Sequence, residues 1–179
     1  QVVVAPAAAV GVSINPKIGV SDNGSVALAN DGRVLAWGRN FFIGLYDNQA
    51  QNLLPDIISH PIANGVTGAM DVAIGDSTIH ALLADGTVVG WGGNTSGQVG
   101  SGTNVYMIPQ PQRLPGPPPA QALAAKWSNY LALTRDGRVF SWGINGYGQL
   151  GLGDYENRFA PTEIAGLDNV IAIATGRDF

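Results

Sequence analysis

An all-β fold made of repeated blades is what three features of this 179-residue sequence predict. Trp37, Trp91 and Trp142 recur at intervals of about 50 residues, each followed by a glycine, Gly38, Gly92 and Gly143. An Asp-Gly pair precedes each at the same distance, Asp31-Gly32, Asp85-Gly86 and Asp136-Gly137, set between two apolar runs. No stretch keeps a helical period with caps at its ends. Repeats of about 50 residues built from short strands imply a β-propeller, with one blade of roughly four strands per repeat.

Residues 1–15 begin "QVVVAPAAAV", apolar but without the basic start of a signal peptide, and are expected to form an N-terminal extension or strand. The first repeat, 16–66, holds a worn copy of the pattern, "VALANDGRVLAWGRNFFIGL", from Val26. In the second, 67–117, the strand-like "AMDVAIGD" leads to "ALLADGTVVGWGGNTSGQVGSG" from Ala81. The third, 118–168, contains the best helix candidate, "PAQALAAKW". That stretch is short and aligns with "AMDVAIGD", so a strand is expected there, followed by "LALTRDGRVFSWGINGYGQLGLG" from Leu131. "NVIAIATGRDF", within 169–179, begins a fourth copy.

An apolar run, Asp-Gly, and an alternating run such as "RVFSW" form the short-range signature of a hairpin. A type I′ turn is expected, since Gly supplies positive φ freely and Asp tolerates it. In the strand that follows, Val34, Val88 and Val139 share a face with Ala36, Gly90 and Ser141, whereas Leu35, Val89 and Phe140 share the other with the tryptophans. Both faces are largely apolar, so both should be covered by neighbouring sheets. The small residues at 36, 90 and 141 should leave room where a neighbouring sheet comes close.

Together, "Ala-Leu-x-x-Asp-Gly-x-Val-x-x-Trp-Gly-x-Asn-x-x-Gly-Gln-Leu-Gly-x-Gly" resembles the repeat of the regulator of chromosome condensation family. Residues 131–153 match it nearly throughout, and 81–102 match with Val99 in place of Leu. The first copy departs after Asn40, where "FFIGLYDN" replaces the Gly-Gln segment. The resemblance covers about 16–179 and implies about three four-stranded blades of a seven-bladed ring, a partial β-propeller. It implies architecture more than activity.

Glycine recurrence in "DGRVFSWGINGYGQLGLGD" invites a phosphate-loop reading. That reading fails, because no helix opens after it and no Lys-Ser/Thr pair follows. No cysteine is present, which excludes disulfides, thiol catalysis and zinc-thiolate sites. With two His and two Glu, a nucleophile-base-orienter set is hard to assemble. His80 occupies a position held elsewhere by Val26 and Leu131, which favours packing, and His60 in "ISHPIANG" reads as a loop residue. Asp31, Asp85 and Asp136 read as turn residues. Asp154 and Glu156 in "GLGDYEN" lack the ligand spacing of a calcium loop.

Net charge is −4 and no basic cluster stands beside an aromatic platform, so direct nucleic-acid binding is not expected. No apolar run reaches a membrane span. No cofactor or metal is expected. Low charge, Gly/Ala/Asn richness and the absence of Cys would suit an exported bacterial protein.

The function this predicts is non-enzymatic protein–protein interaction. Trp127, standing where Asp22 and Asp76 stand in the other copies, is expected to be exposed and to form a contact surface with Tyr130, Phe41, Phe42 and Tyr46. Family analogy supplies two alternatives: guanine-nucleotide exchange on a small GTPase, and inhibition of a secreted enzyme such as a β-lactamase.

An arc of three blades leaves two flanks open. Either the chain is a fragment of a longer propeller, or a homodimer closes the arc with "NVIAIATGRDF" completing a partner's blade. Light scattering after gel filtration is expected to give twice 18.5 kDa for the isolated chain. A mass of 18.5 kDa would send the search for closure to a longer parent chain.

Overall fold

The computed structural model describes residues 17–22, 24–38, 66 and 68–177. Residues 1–15, His60, and Phe41, Phe42 and Tyr46 of the expected contact surface lie outside them. Among the described residues the regular structure is all strand, in three antiparallel sheets. The first sheet has the order β1 (Lys17–Val20), β2 (Gly24–Leu28), β3 (Val34–Gly38). In the second, β4 (Ala69–Ile74), β5 (Thr78–Leu83), β6 (Val88–Gly93) and β7 (Met107–Arg113) pair in sequence order. The third repeats it with β8 (Ala120–Lys126), β9 (Asn129–Thr134), β10 (Val139–Gly143) and β11 (Arg158–Glu163). These are blades of a partial propeller, and the "PAQALAAKW" segment is indeed the strand β8.

Each blade is entered the same way. The amide of the first inner-strand residue donates to the hairpin glycine of the preceding blade: Ala69 to Gly32 at 3.2 Å, Ala120 to Gly86 at 2.9 Å and Val170 to Gly137 at 3.0 Å. The inner strand β4 packs beside both β1 and β8. Asp71 joins all three: Oδ1 meets Lys17 Nζ at 2.6 Å, and Oδ2 accepts the Leu123 amide at 3.2 Å. A partly buried carboxylate with charged and backbone donors holds its geometry more firmly than an exposed ion pair.

The hairpins correct one expectation. They are not type I′ turns, because positive φ occurs at Gly32, Gly86 and Gly137 but not at Asp31, Asp85 or Asp136. Gly32 N–H donates to Ala29 O, Gly86 to Leu83 and Gly137 to Thr134, and each hairpin closes one residue further on, as in Ala29 N–H to Arg33 O at 2.9 Å. This is a type I turn followed by a bulge glycine in the left-handed region. The Asp serves the turn with its side chain: Asp31 Oδ1 accepts the Arg33 amide and Asp85 Oδ1 the Thr87 amide, while Asp136 Oδ1 accepts the Thr134 hydroxyl. Those bonds hold all three carboxyls below the usual range, led by the Arg33 guanidinium at Asp31, the Thr87 amide at Asp85 and the Thr134 hydroxyl at Asp136.

Apolar burial lies between blades. One cluster joins Val26, Leu28, Val34 and Ala36 of the first blade to Val72, Ile79, Ala81 and Trp91 of the second. The next joins Leu82 and Val88 of the second to Leu123, Tyr130, Ala132 and Trp142 of the third. Strands β6 and β10 are buried on both faces, as their composition predicts. The small residues on them serve a nearer neighbour than expected. A Cβ at Gly90 would lie 2.7 Å from the His80 ring and 3.0 Å from Val99 O, and Ser141 Oγ donates to Leu150 O at 2.8 Å. The space admits the blade's own Gly-Gln turn.

That turn is also the seat of the next blade. Trp142 Nε1 donates to Gln98 O at 3.0 Å, and Gly102 N–H to Phe159 O at 2.7 Å. A Cβ at Gly100 would meet the Trp142 ring at 2.8 Å, and one at Gly97 would meet Arg158 O at 2.5 Å. Gly97 and Gly100 therefore permit close approach between the second and third blades. Trp91, the equivalent indole one blade earlier, has a buried Nε1 without a partner among the described residues.

The two tryptophans should thus respond differently to the same substitution. Trp142→Phe removes a hydrogen bond and strands a carbonyl, whereas Trp91→Phe removes an unpaired N–H. Urea unfolding should show Trp142→Phe as the more destabilising by about 1–3 kcal/mol. Equal losses would mean that the Gln98 carbonyl contributes nothing.

Candidate functional site

Where each inner strand turns into the next, the repeats place Asp22, Asp76, Trp127 and Arg177 at equivalent positions on one end of the arc. A cavity of about 250 Å³ opens there, lined by Val20, Ser21, Asp22, Ile74, Asp76, Lys126, Trp127 and Arg177. Four adjacent repeats therefore contribute to one concave surface carrying two carboxylates, two cations and an indole.

Trp127 is half-buried, not fully exposed as the sequence suggested. It occupies the turn between β8 and β9 with φ at +53°, a region that costs a non-glycine residue about 1–2 kcal/mol. Three contacts hold it. The Asp76 amide donates to Trp127 O at 2.6 Å, the Tyr130 hydroxyl reaches the same oxygen at 3.5 Å, and the Arg177 guanidinium carbon lies 5.0 Å from the indole centroid. The arm carrying Arg177 is fixed by Asn129, whose Nδ2 donates to Gly176 O and Arg177 O and whose Oδ1 accepts the Thr175 hydroxyl at 2.6 Å.

Tyr130 is not a surface group. It is buried between blades, stacked on Trp142 at 5.8 Å and tilted against His80 at 4.5 Å. Its hydroxyl fills the space that Gly75 leaves, since a Cβ there would lie 2.0 Å away. Burial raises its pKa. The sequence missed this because Ile79, its counterpart, gives no hint that a phenol fits the slot.

His80 is likewise a core group. Its Nε2–H donates to Val99 O at 2.9 Å, and Nδ1 is buried without a partner. Burial lowers its pKa to about 4, against a smaller opposing pull from the Val99 carbonyl. Asp154 spends its oxygens on protein donors, Arg158 Nη2 at 2.6 Å, Asn145 Nδ2 at 3.1 Å and the Glu156 amide at 2.9 Å. Among the described residues no group of three His, Cys, Asp or Glu side chains is arranged to hold a metal ion. Arg177 was legible in principle, because "ATGRDF" aligns with "AIGDST".

What these blades and loops define is an arc of a chromatin-regulator-type propeller. The description "Regulator of chromosome condensation (RCC1) repeat" matches residues 136–179 in one form and 17–42, 71–98 and 121–149 in another. The chain belongs to this repeat family. It is 30% identical over 156 residues to the ultraviolet-B receptor UVR8 of Arabidopsis thaliana, covering 86% of this chain and 34% of that protein. A mitochondrial RCC1 domain-containing protein of the same plant, RUG3, is 30% identical over 89% of this chain and 37% of its own length. Over 61% of this chain, the probable human E3 ubiquitin-protein ligase HERC3 is 39% identical, across 11% of its length. The chain thus spans about a third or less of these relatives. In fold it resembles yeast Prp20p, with TM-score 0.74 and 23% identity over 94% of this chain and 43% of that one. Human WBSCR16 gives the same TM-score over 89% and 42%.

His80 predicts a pH dependence of stability. The folded pKa, about 4, lies below the ordinary 6.5, so the unfolded chain takes up the proton first as pH falls. The contribution of His80 is full above 6.5, declines towards 4, and its loss then levels off at about 3 kcal/mol. Urea titrations between these pH values should show that decline in the native chain and a much smaller one in His80→Gln, confined to the acid end where the lowered carboxyls of Asp31, Asp85, Asp136 and Asp154 begin to protonate.

Proposed function

We propose that the chain is part of a propeller that binds another protein at the loop end built by Asp22, Asp76, Trp127 and Arg177, without catalysing a reaction of its own. The observation that carries this is Trp127, held in a left-handed turn under a guanidinium at the mouth of a cavity. Backbone strain in a water-facing turn is retained where a site requires the side chain there. Partly desolvated tryptophan and arginine are the residue types that dominate binding energy at protein interfaces. The fold relatives support binding in general: yeast RCC1 (Prp20) has been solved with Kap60 bound to it, and Prp20p has binding properties to Gsp1p and histones.

A second reading, guanine-nucleotide exchange on a small GTPase, rests on the family resemblance and is decided by nucleotide release from a GTPase panel. Inhibition of a β-lactamase has no observation behind it. The relatives named above are plant, human and yeast proteins, and they lend no support to an exported bacterial origin.

A photo-crosslinking residue at Lys126, beside the cavity, should capture protein from a cell extract, whereas one at Gln110 on β7 should not. Adding Trp127→Ala should weaken capture by about tenfold or more. Equal labelling at both positions, or no effect of Trp127→Ala, would defeat the assignment of this face.

A further inference from the structure

Tyr130 stands where the earlier repeats carry quite different side chains. By register it is the counterpart of Ile79 in the second repeat and of Ser25 in the first. Trp142 and His80 both lie against its ring, so the core fixes where the hydroxyl points. It points between two turns. The phenol oxygen lies 3.5 Å from Trp127 O in the third repeat, and a Cβ on Gly75 of the second would come within 2.0 Å of that oxygen and 2.3 Å of the carbonyl. At 3.5 Å the hydroxyl makes a weak bond at best, so its main effect is to fill the gap.

The bond that joins the two turns lies in the same place. The Asp76 amide donates to Trp127 O at 2.6 Å, with Trp127 at φ +53°. One residue's φ and ψ fix the direction of its carbonyl and of its side chain alike, so the bond to Asp76 and the placing of the indole at the cavity are set together. The preceding boundary serves as a control. There Ser21 replaces Gly75, Ile79 replaces Tyr130 and Asp76 replaces Trp127. Among the described residues no bond runs from the Asp22 amide to Asp76 O, and neither Asp has positive φ. Phenol, cross-repeat bond and left-handed turn thus occur together at one boundary and are all missing from the other.

We propose that Tyr130 is the positioning residue of the loop end: its oxygen closes the gap to water, protects the Asp76–Trp127 bond and so keeps Trp127 in the left-handed turn that presents the indole to the cavity. Its part in binding rests on that face being a binding surface. The hold on Trp127 does not, and it is measurable without a partner.

Amide exchange followed by NMR compares two bonds across the same boundary: the Asp76 amide on Trp127 O, beside the phenol, and the Ala120 amide on Gly86 O, at the hairpin end. Tyr130→Phe keeps the ring and removes the oxygen. The Asp76 amide should then exchange about tenfold faster or more, and the Ala120 amide by less than about twofold. Equal acceleration of both would mean that the phenol stabilises the boundary as a whole, and no acceleration at Asp76 would mean that the bond does not need it. Either result overturns the proposal. In the photo-crosslinking assay at Lys126, Tyr130→Phe should lower capture about threefold or more, and should add nothing to the loss caused by Trp127→Ala, because it acts through that residue. Additive losses, or capture unchanged by Tyr130→Phe, also overturn it. A native chain that captures nothing at Lys126 defeats the binding face instead, and the exchange comparison alone then decides for or against the hold of Tyr130 on Trp127.

Discussion

The contact between the second and third blades depends on one indole, Trp142, set into the glycine turn of the blade before it. It is buried between Gly100 and the inter-blade cluster with its N–H on the Gln98 carbonyl. Strand pairing makes each sheet, but sheets of three or four strands have two apolar faces and no stability without neighbours. The tryptophan contact supplies the neighbour and sets its distance. It also explains the glycines at 97 and 100 in "GGNTSGQVGSG", where the following blade comes too near for a side chain. Around the axis, Asp71 adds a polar counterpart by linking three inner strands through its two oxygens.

The loop end follows from this packing. Because inner strands lie side by side, their turns are side by side as well, and residues about 50 apart in sequence become neighbours around one cavity. A repeat scaffold thereby turns a single sequence position into a ring of independently variable side chains. Asp22, Asp76, Trp127 and Arg177 show how far that variation runs, from carboxylate to indole to guanidinium, with Trp127 alone of the four at positive φ.

Much of this was legible in the sequence. The spacing of the Asp-Gly pairs and tryptophans was enough for the blades, including the strand nature of "PAQALAAKW", because both signals arise from local turn geometry and from period-two burial. The turn type was misjudged for a local reason: Asp-Gly suits a type I′ turn and equally a type I turn with a bulge glycine, and only the closing hydrogen bonds distinguish them. Trp127 drew attention because it broke the repeat, and it lines the cavity. Tyr130 was misplaced beside it, since three residues of separation say nothing about which side of a sheet a ring enters. Its burial depends on Gly75, a residue 55 positions earlier and one blade away, and no local pattern carries that information.

The Gly75–Tyr130 relation has a consequence for how such chains can change. The hydroxyl of one repeat occupies the volume of a Cβ absent from its neighbour, so the two residues are fitted to each other across a blade boundary. Gly86, by contrast, meets the Cβ and backbone of Pro119, the nearest atom 2.6 Å from an added Cβ, as Gly32 meets Gly68 and Gly137 meets Asn169, a requirement common to every boundary. The repeats are therefore similar without being interchangeable. Duplication of a repeat can lengthen such a propeller, but shuffling the copies would place side chains where the neighbour has left no room. The linear order of the blades is thus recorded in pairs of residues that a comparison of repeats, one against another, would score as mere variation.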